Sequence, residues 1–256
     1  MDRRSFLRNS GLATGAVLST SGLKAGTQTP TGKDIFELKV YHLNGAAGRN
    51  RLKKFYSDAV IPFLKKRGTK VAAFSEYSLE EPPVMYVLHA HQSIAEYYDA
   101  MLAMRSDSAF LEAAGEYIKI PPATPVYNRF ETFLMEAFDG LPHFNDWPDN
   151  NGLVEMRTYE SYSEDAGIRK VKMFNDGEIQ LFEKLGFHPL MFGQHLAGQY
   201  MPALTYMLSF KDMDERDALW ATFGPSPEWK EMSSKEEYAN TVSKIHKKFL
   251  LPADLS

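Results

Sequence analysis

The 256-residue chain contains no cysteine. Disulfides, thiolate nucleophiles, zinc fingers and iron–sulfur clusters are therefore excluded. No Gly-x-Gly-x-x-Gly turn, phosphate-binding loop or Gly-x-Ser-x-Gly elbow occurs, so nucleotide binding and serine hydrolysis have no support. Positive charge is also short. The 29 Lys and Arg against 33 Asp and Glu leave a net charge of −4, and a nucleic-acid partner has no electrostatic footing. No run of about 20 strongly apolar residues is present, so no membrane span is expected in the mature chain. What remains is a hydrophobic fraction of 44%, ordinary for a globular protein, and a length that can bury a core without staples.

Residues 1–33 read as a twin-arginine-type signal peptide and flexible leader. Asp2-Arg3-Arg4-Ser5-Phe6-Leu7-Arg8 places basic residues ahead of a weakly apolar stretch, Gly11 to Leu23, the order of an export signal. The adjacent arginines followed by Ser-Phe-Leu resemble the twin-arginine motif. Gly11, Gly15 and Gly22 weaken the run further. The chain is thus expected in the periplasm, cut near Ala25, with Gly26 to Lys33 as leader.

The rest of the chain repeats itself, a pattern worth seeking first. Glu37-Leu38-Lys39-Val40-Tyr41 aligns with Glu155-Met156-Arg157-Thr158-Tyr159, and Gly68 aligns with Gly186. With small gaps Tyr86 meets Tyr206, Leu88 meets Leu208 and Phe110 meets Trp229. In each copy a strand precedes an amphipathic helix that a glycine stops. Two strands, a second helical region and a closing strand follow. The expected strands include 71–77 and 84–91 in the first copy and 189–196 and 204–210 in the second. Ser226-Pro227 suits the cap and first turn of a further helix. This order, β-α-β-β-α-β, is the ferredoxin-like unit. The expected fold is α+β, two tandem ferredoxin-like repeats packed sheet to sheet as a pseudo-dimeric α/β barrel. The repeats are expected at 34–140 and 153–256, joined by a turn-rich linker at 141–152.

The second copy resembles the NIPSNAP domain through Val154-Glu155-Met156-Arg157-Thr158-Tyr159, Gly186-Phe187, Tyr206-Met207-Leu208-Ser209-Phe210, Asp214-Glu215-Arg216 and Ser226-Pro227-Glu228-Trp229. The first copy is a degenerate version, with Lys39 in place of Arg157 and Phe110 in place of Trp229. The resemblance implies the dimeric α/β-barrel superfamily, which includes cofactor-independent monooxygenases, haem-binding proteins and proteins without an assigned activity. It supplies no catalytic motif to carry over.

Strand alternation sorts side chains into two faces. The greasier face of each strand is expected on the helices, which sends Glu37, Lys39, Tyr41, His89, His91, Glu155, Arg157 and Tyr159 into the barrel interior. Convergent polar groups in an apolar cavity are the usual signature of a ligand site. In this reading Arg157, Glu155, Lys39 and Glu37 bind a small apolar or anionic ligand. Tyr159 or Tyr41 donates a hydrogen bond, and His89 or His91 is the candidate general base. The bland alternative is a set of ion pairs between the sheets, with tyrosines as core filler.

No metal is assigned. His89 and His91 share a face, but a third ligand is not fixed; Glu76, His188 and His195 are its candidates. The same histidines, with His188 and His195, are the candidate haem ligands, yet no cofactor is expected. His42, His143 and His246 read as loop or surface residues. Two functions remain open: a ligand-binding barrel, oxidising its ligand without a cofactor or with haem if it is an enzyme, and a non-enzymatic interaction module, a candidate homo-oligomer.

Overall fold

The computed structural model describes residues 32–77 and 83–255. The export-signal and leader reading covers residues 1–33, of which 1–31 lie outside the described residues. The first repeat runs β1 (Ile35–Leu43), α1 (Gly45–Phe55), a π turn (Tyr56–Val60), α2 (Ile61–Lys65), β2 (Lys70–Glu76) and β3 (Val84–His91). It continues with α3 (Ile94–Ala103), α4 (Ser108–Ala113), α5 (Gly115–Ile118) and β4 (Tyr127–Ala137). The second repeat runs β5 (Leu153–Glu160), α6 (Glu164–Met173), a π turn (Phe174–Glu178), α7 (Ile179–Lys184) and β6 (His188–Ala197). It ends with β7 (Ala203–Phe210), α8 (Met213–Phe223), α9 (Pro227–Ser233) and β8 (Lys244–Pro252).

Local chemistry sets these boundaries. Ser93 caps α3 and Asp212 caps α8, each side chain accepting from the N–H three residues on, at 3.1 and 2.9 Å. Ser226 caps α9 through the Trp229 N–H. Gly68 and Gly186 end the first helical run of each repeat at φ +77° and +90°, a region that a side chain disfavours. The next N–H, of Thr69 or Phe187, then turns back onto the carbonyl of Leu64 or Phe182.

Each repeat forms a four-stranded antiparallel sheet, ordered β4-β1-β3-β2 and β8-β5-β7-β6, and the two close into one barrel through β2–β8 and β4–β6. Within a repeat β1 and β3 pair along Ile35–His42. The seams are shorter: Phe74 to Glu76 against Leu250 to Pro252, and Leu134 to Ala137 against Gly193 to Ala197. Among the described residues no helix is long and apolar enough to cross a membrane.

The packing inverts the expected strand faces. Phe36, Leu38, Val40, Tyr86, Leu88, Ala90, Val154 and Met156 join one apolar cluster with Met135, Met191 and Met207 inside the barrel. Tyr41, Met85 and Val87 instead pack under the first repeat's helices, and Tyr159 under the second's. In β7 the expected face is the observed one, since Leu204, Tyr206, Leu208 and Phe210 pack on the helices. In β1 and β5 the assumption that the greasier face meets the helices fails; in β3 the cause is a one-residue slip in matching the copies. Glu37 lies opposite His89, whereas Glu155 lies opposite Leu208. His89 therefore corresponds to Leu208 and His91 to Phe210, and a slip of one residue exchanges faces. The interior is filled from all eight strands, and β1, β3 and β5 turn their less polar face to it. Phe144 and Trp147, between the repeats, pack into the same cluster, and Asp34 Oδ2 accepts from the Phe144 N–H at 2.9 Å.

Candidate functional site

The predicted site residues form two separate clusters on the helix-facing side of the sheet, one per repeat, and do not converge in the barrel. In the first, His89 Nδ1 donates to Glu37 Oε2 at 2.8 Å and Lys39 Nζ lies 3.3 Å from Glu37 Oε1. Tyr41 and Tyr56 share a hydrogen bond of 3.0 Å, with Tyr56 supplied by the π turn. Burial alone would raise the Glu37 carboxyl. The hydrogen bond from His89, the nearby His91 imidazole and the Lys39 charge outweigh it and hold Glu37 well below the usual carboxylate range. Burial pushes His89 down, so its ring is neutral beside an ionised Glu37.

In the second cluster Glu155 is fully buried and carries four donors. Arg157 Nε (2.7 Å) and Arg216 Nη2 (3.0 Å) reach Oε1; Arg216 Nε and Trp220 Nε1, both at 2.8 Å, reach Oε2. Burial opposes the charge, but the two guanidinium groups hold the carboxyl below its ordinary value. Arg157 stacks on Trp220 at 3.8 Å and touches the Tyr159 hydroxyl at 3.4 Å. The ion pairs expected between sheets are thus pairs along one strand, Glu37 with Lys39 and Glu155 with Arg157.

The barrel does hold a cavity, of about 610 Å³, at the end where β1, β3, β4, β5 and β8 meet the β6–β7 loop. Its apolar wall is Leu38, Val40, Val84, Phe133 and Met156. Its rim carries two histidine–glutamate pairs. His42 of β1 donates from Nε2 to Glu131 of β4 at 3.0 Å, and His246 of β8 bonds Glu160 of β5. The pairs occupy equivalent positions with the residues exchanged, because Val40 faces Glu131 as Thr158 faces His246. Glu76 accepts from Tyr86 and Lys248, each at 3.1 Å. Arg129 and Lys248 keep more than half of their side chains exposed at this rim. Tyr200 stacks on His246 at 4.3 Å from a φ of +69°, a strained setting for a bulky residue and common at functional sites.

His42 and His246 are therefore strand residues at the mouth of the barrel, not loop or surface residues. The signal lay in continuing the alternation two residues past Val40. His195 lies inside the barrel, its Nε2 2.8 Å from Thr205 Oγ1, which bonds Thr158 at 2.7 Å. His188 reaches the Asp146 carbonyl and His143 reaches Asp34. None of Glu76, His188 or His195 completes the His89–His91 pair.

Two βαββαβ units closing one eight-stranded barrel, with helices outside, define a tandem dimeric-α/β-barrel protein. Residues 154–256, the whole second repeat, match the NIPSNAP family. No relative among curated proteins matches the chain. Solved structures share the fold. A candidate monooxygenase from Fusobacterium nucleatum is 8% identical, with 87% of this chain and 93% of that one covered at a TM-score of 0.57. One from Lactobacillus acidophilus is 12% identical, with 86% and 94% covered at 0.55. An anthrone oxidase-like protein is 9% identical, with 89% and 94% covered at 0.51.

Proposed function

We propose that the chain is an exported NIPSNAP-like protein that binds a small, largely apolar molecule in the mouth of its barrel. The observation that carries this reading is the 610 Å³ cavity, apolar on its wall and ringed by paired ionic groups. The molecule's polar or anionic end meets Arg129 and Lys248, the cations most open to solvent there. Oxidation by dioxygen without a tightly held cofactor, a CH2 group becoming C=O while the second oxygen atom leaves as water, is the reaction class we favour, because similar folds are described as candidate monooxygenases. His42 or His246, each oriented by a glutamate, then takes the proton whose loss makes the substrate electron-rich.

Anilinonaphthalene sulfonate, an apolar fluorophore with one anionic group, tests the site. Met156→Trp places an indole in the cavity and is expected to weaken binding at least about tenfold with the thermal midpoint unchanged. Equal binding by the variant and the parent overturns the assignment. Export has its own test. Arg3→Lys with Arg4→Lys is expected to leave the precursor in the cytoplasm, while the parent yields a periplasmic form beginning near Gly26. Undiminished export of the double variant removes that part of the proposal.

One feature supports the interaction-module reading. Ile94, Tyr98 and Leu102 form an exposed apolar stripe along α3. Sedimentation of the parent against Tyr98→Glu measures whether that stripe joins two copies.

A further inference from the structure

The two repeats carry the same buried carboxylate and treat it differently. Glu155 has its charge matched by Arg157 and Arg216 and a further donor in Trp220. At the corresponding places the first repeat has Lys39, Tyr97 and Met101, the last two at the same distance from the helix cap. Where the second repeat has Leu208 and Phe210 opposite and beyond the carboxylate, the first has His89 and His91. The first repeat thus lacks both guanidinium groups and instead brings two imidazoles beside its carboxylate from β3, a donor type that binds metal ions as well as protons.

The geometry of the imidazoles is specific. Glu37 and His89 are register partners on neighbouring strands, and His91 is two residues on, on the same face. Glu37, His89 and His91 each place a ligand atom within 4.8 Å of the others, and all three residues are buried. His91 Nδ1 lies 3.3 Å from Thr69 Oγ1, which turns Nε2 toward Glu37 Oε2 at 3.9 Å. That outer hydrogen bond is the usual means of orienting a metal-binding imidazole. His91 Nε2, the atom that faces Glu37, is buried without a hydrogen-bond partner. A purely structural ion-pair cluster has no use for such atoms, because an unmatched buried polar atom destabilises the fold.

We propose that Glu37, His89 and His91 form a binding site for one divalent first-row transition-metal ion. His91 Nε2, His89 Nδ1 once its proton has moved to the unpartnered Nε2, and one carboxylate oxygen suit ions such as zinc, ferrous iron or cobalt. With metal–ligand bonds of about 2.1 Å, donors lie about 3 Å apart. The His89–Glu37 separation of 2.8 Å already fits. The His91–Glu37 separation of 3.9 Å closes by a shift of about an ångström. Lys39 is the resident competitor, with its ammonium on the other Glu37 oxygen and its side chain partly exposed. The site lies on the opposite side of the β1–β3 sheet from the cavity, so the proposal stands apart from the ligand reading.

Chelator-treated protein titrated with Co²⁺ tests it. The expected result is a visible d–d band saturating at one Co²⁺ per chain and bleached by Zn²⁺. Glu37→Gln and His91→Gln are each expected to abolish the band. Because a change at a buried position can impair folding, Lys39→Gln, outside the donor set, is the second variant. Removing its positive charge is expected to tighten Co²⁺ at least about tenfold. No band in either the parent or Lys39→Gln overturns the proposal. A band that survives both Glu37→Gln and His91→Gln also overturns it, because the ion then sits on other histidines.

Discussion

Arg216→Met is expected to cost about 3 kcal/mol or more of folding stability. Its guanidinium supplies two of the four donors on Glu155, a carboxylate with no exposed surface. Methionine fills much of the volume but leaves the charge with Arg157 and Trp220 alone. Removing one partner of a buried pair costs more than the pair contributes, since the other charge stays in a dry site. For a chain of this size the thermal midpoint should fall by about 8–10 °C. Glu155→Gln in the same background should recover part of the loss, and the double-mutant cycle from urea unfolding gives the coupling. A loss below about 1 kcal/mol would show that Arg157 and Trp220 suffice. The sign of the pH dependence follows from the depressed Glu155 carboxyl. The cluster's contribution is full above the ordinary value of 4.5 and is lost as pH falls through the lower folded value.

The second large effect is acid sensitivity at His195. Burial pushes this imidazole from 6.5 down to about 4. Between those values the unfolded chain takes up a proton that the folded chain refuses, so stability falls as pH drops. The His195 contribution is complete above pH 6.5, and about 3 kcal/mol is lost by pH 4. His195→Gln keeps a polar atom near Thr205 and removes the titration. The stability of the parent minus that of the variant should be level above pH 7 and decline toward pH 4. A difference that stays level across the range would mean that folded His195 protonates as readily as a free imidazole.

The elements were legible in the sequence because their signals are local. Alternation placed β3 at 84–91, where it lies. Glycines placed the ends of the first helical runs, and Ser226 the cap of α9. The order of elements and the duplication then gave the barrel. Which face of a strand met which layer was not legible. Both faces of β1 are buried, seven of its nine residues fully, so alternation grades two interiors rather than separating an inside from an outside. The charged face of β1 and β5 is tolerated under the helices because partners such as Arg216 and Trp220 arrive from α8, far along the chain. The paired histidines at the mouth escaped for a related reason: each has its glutamate on a neighbouring strand, 89 residues away for His42 and 86 for His246.

Both barrel seams join strands of one chain. Between separate single-repeat chains the same contacts would form to an extent set by protein concentration. Here the polypeptide acts as a tether, and the effective concentration of one half near the other does not fall on dilution. Covalent fusion also frees the halves from sameness. Identical subunits must carry every site twice, whereas this chain holds imidazoles at 89 and 91 on one flank and leucine and phenylalanine at 208 and 210 on the other. Whatever occupies either flank does so once per barrel, and a substitution on one flank need not be repeated on the other.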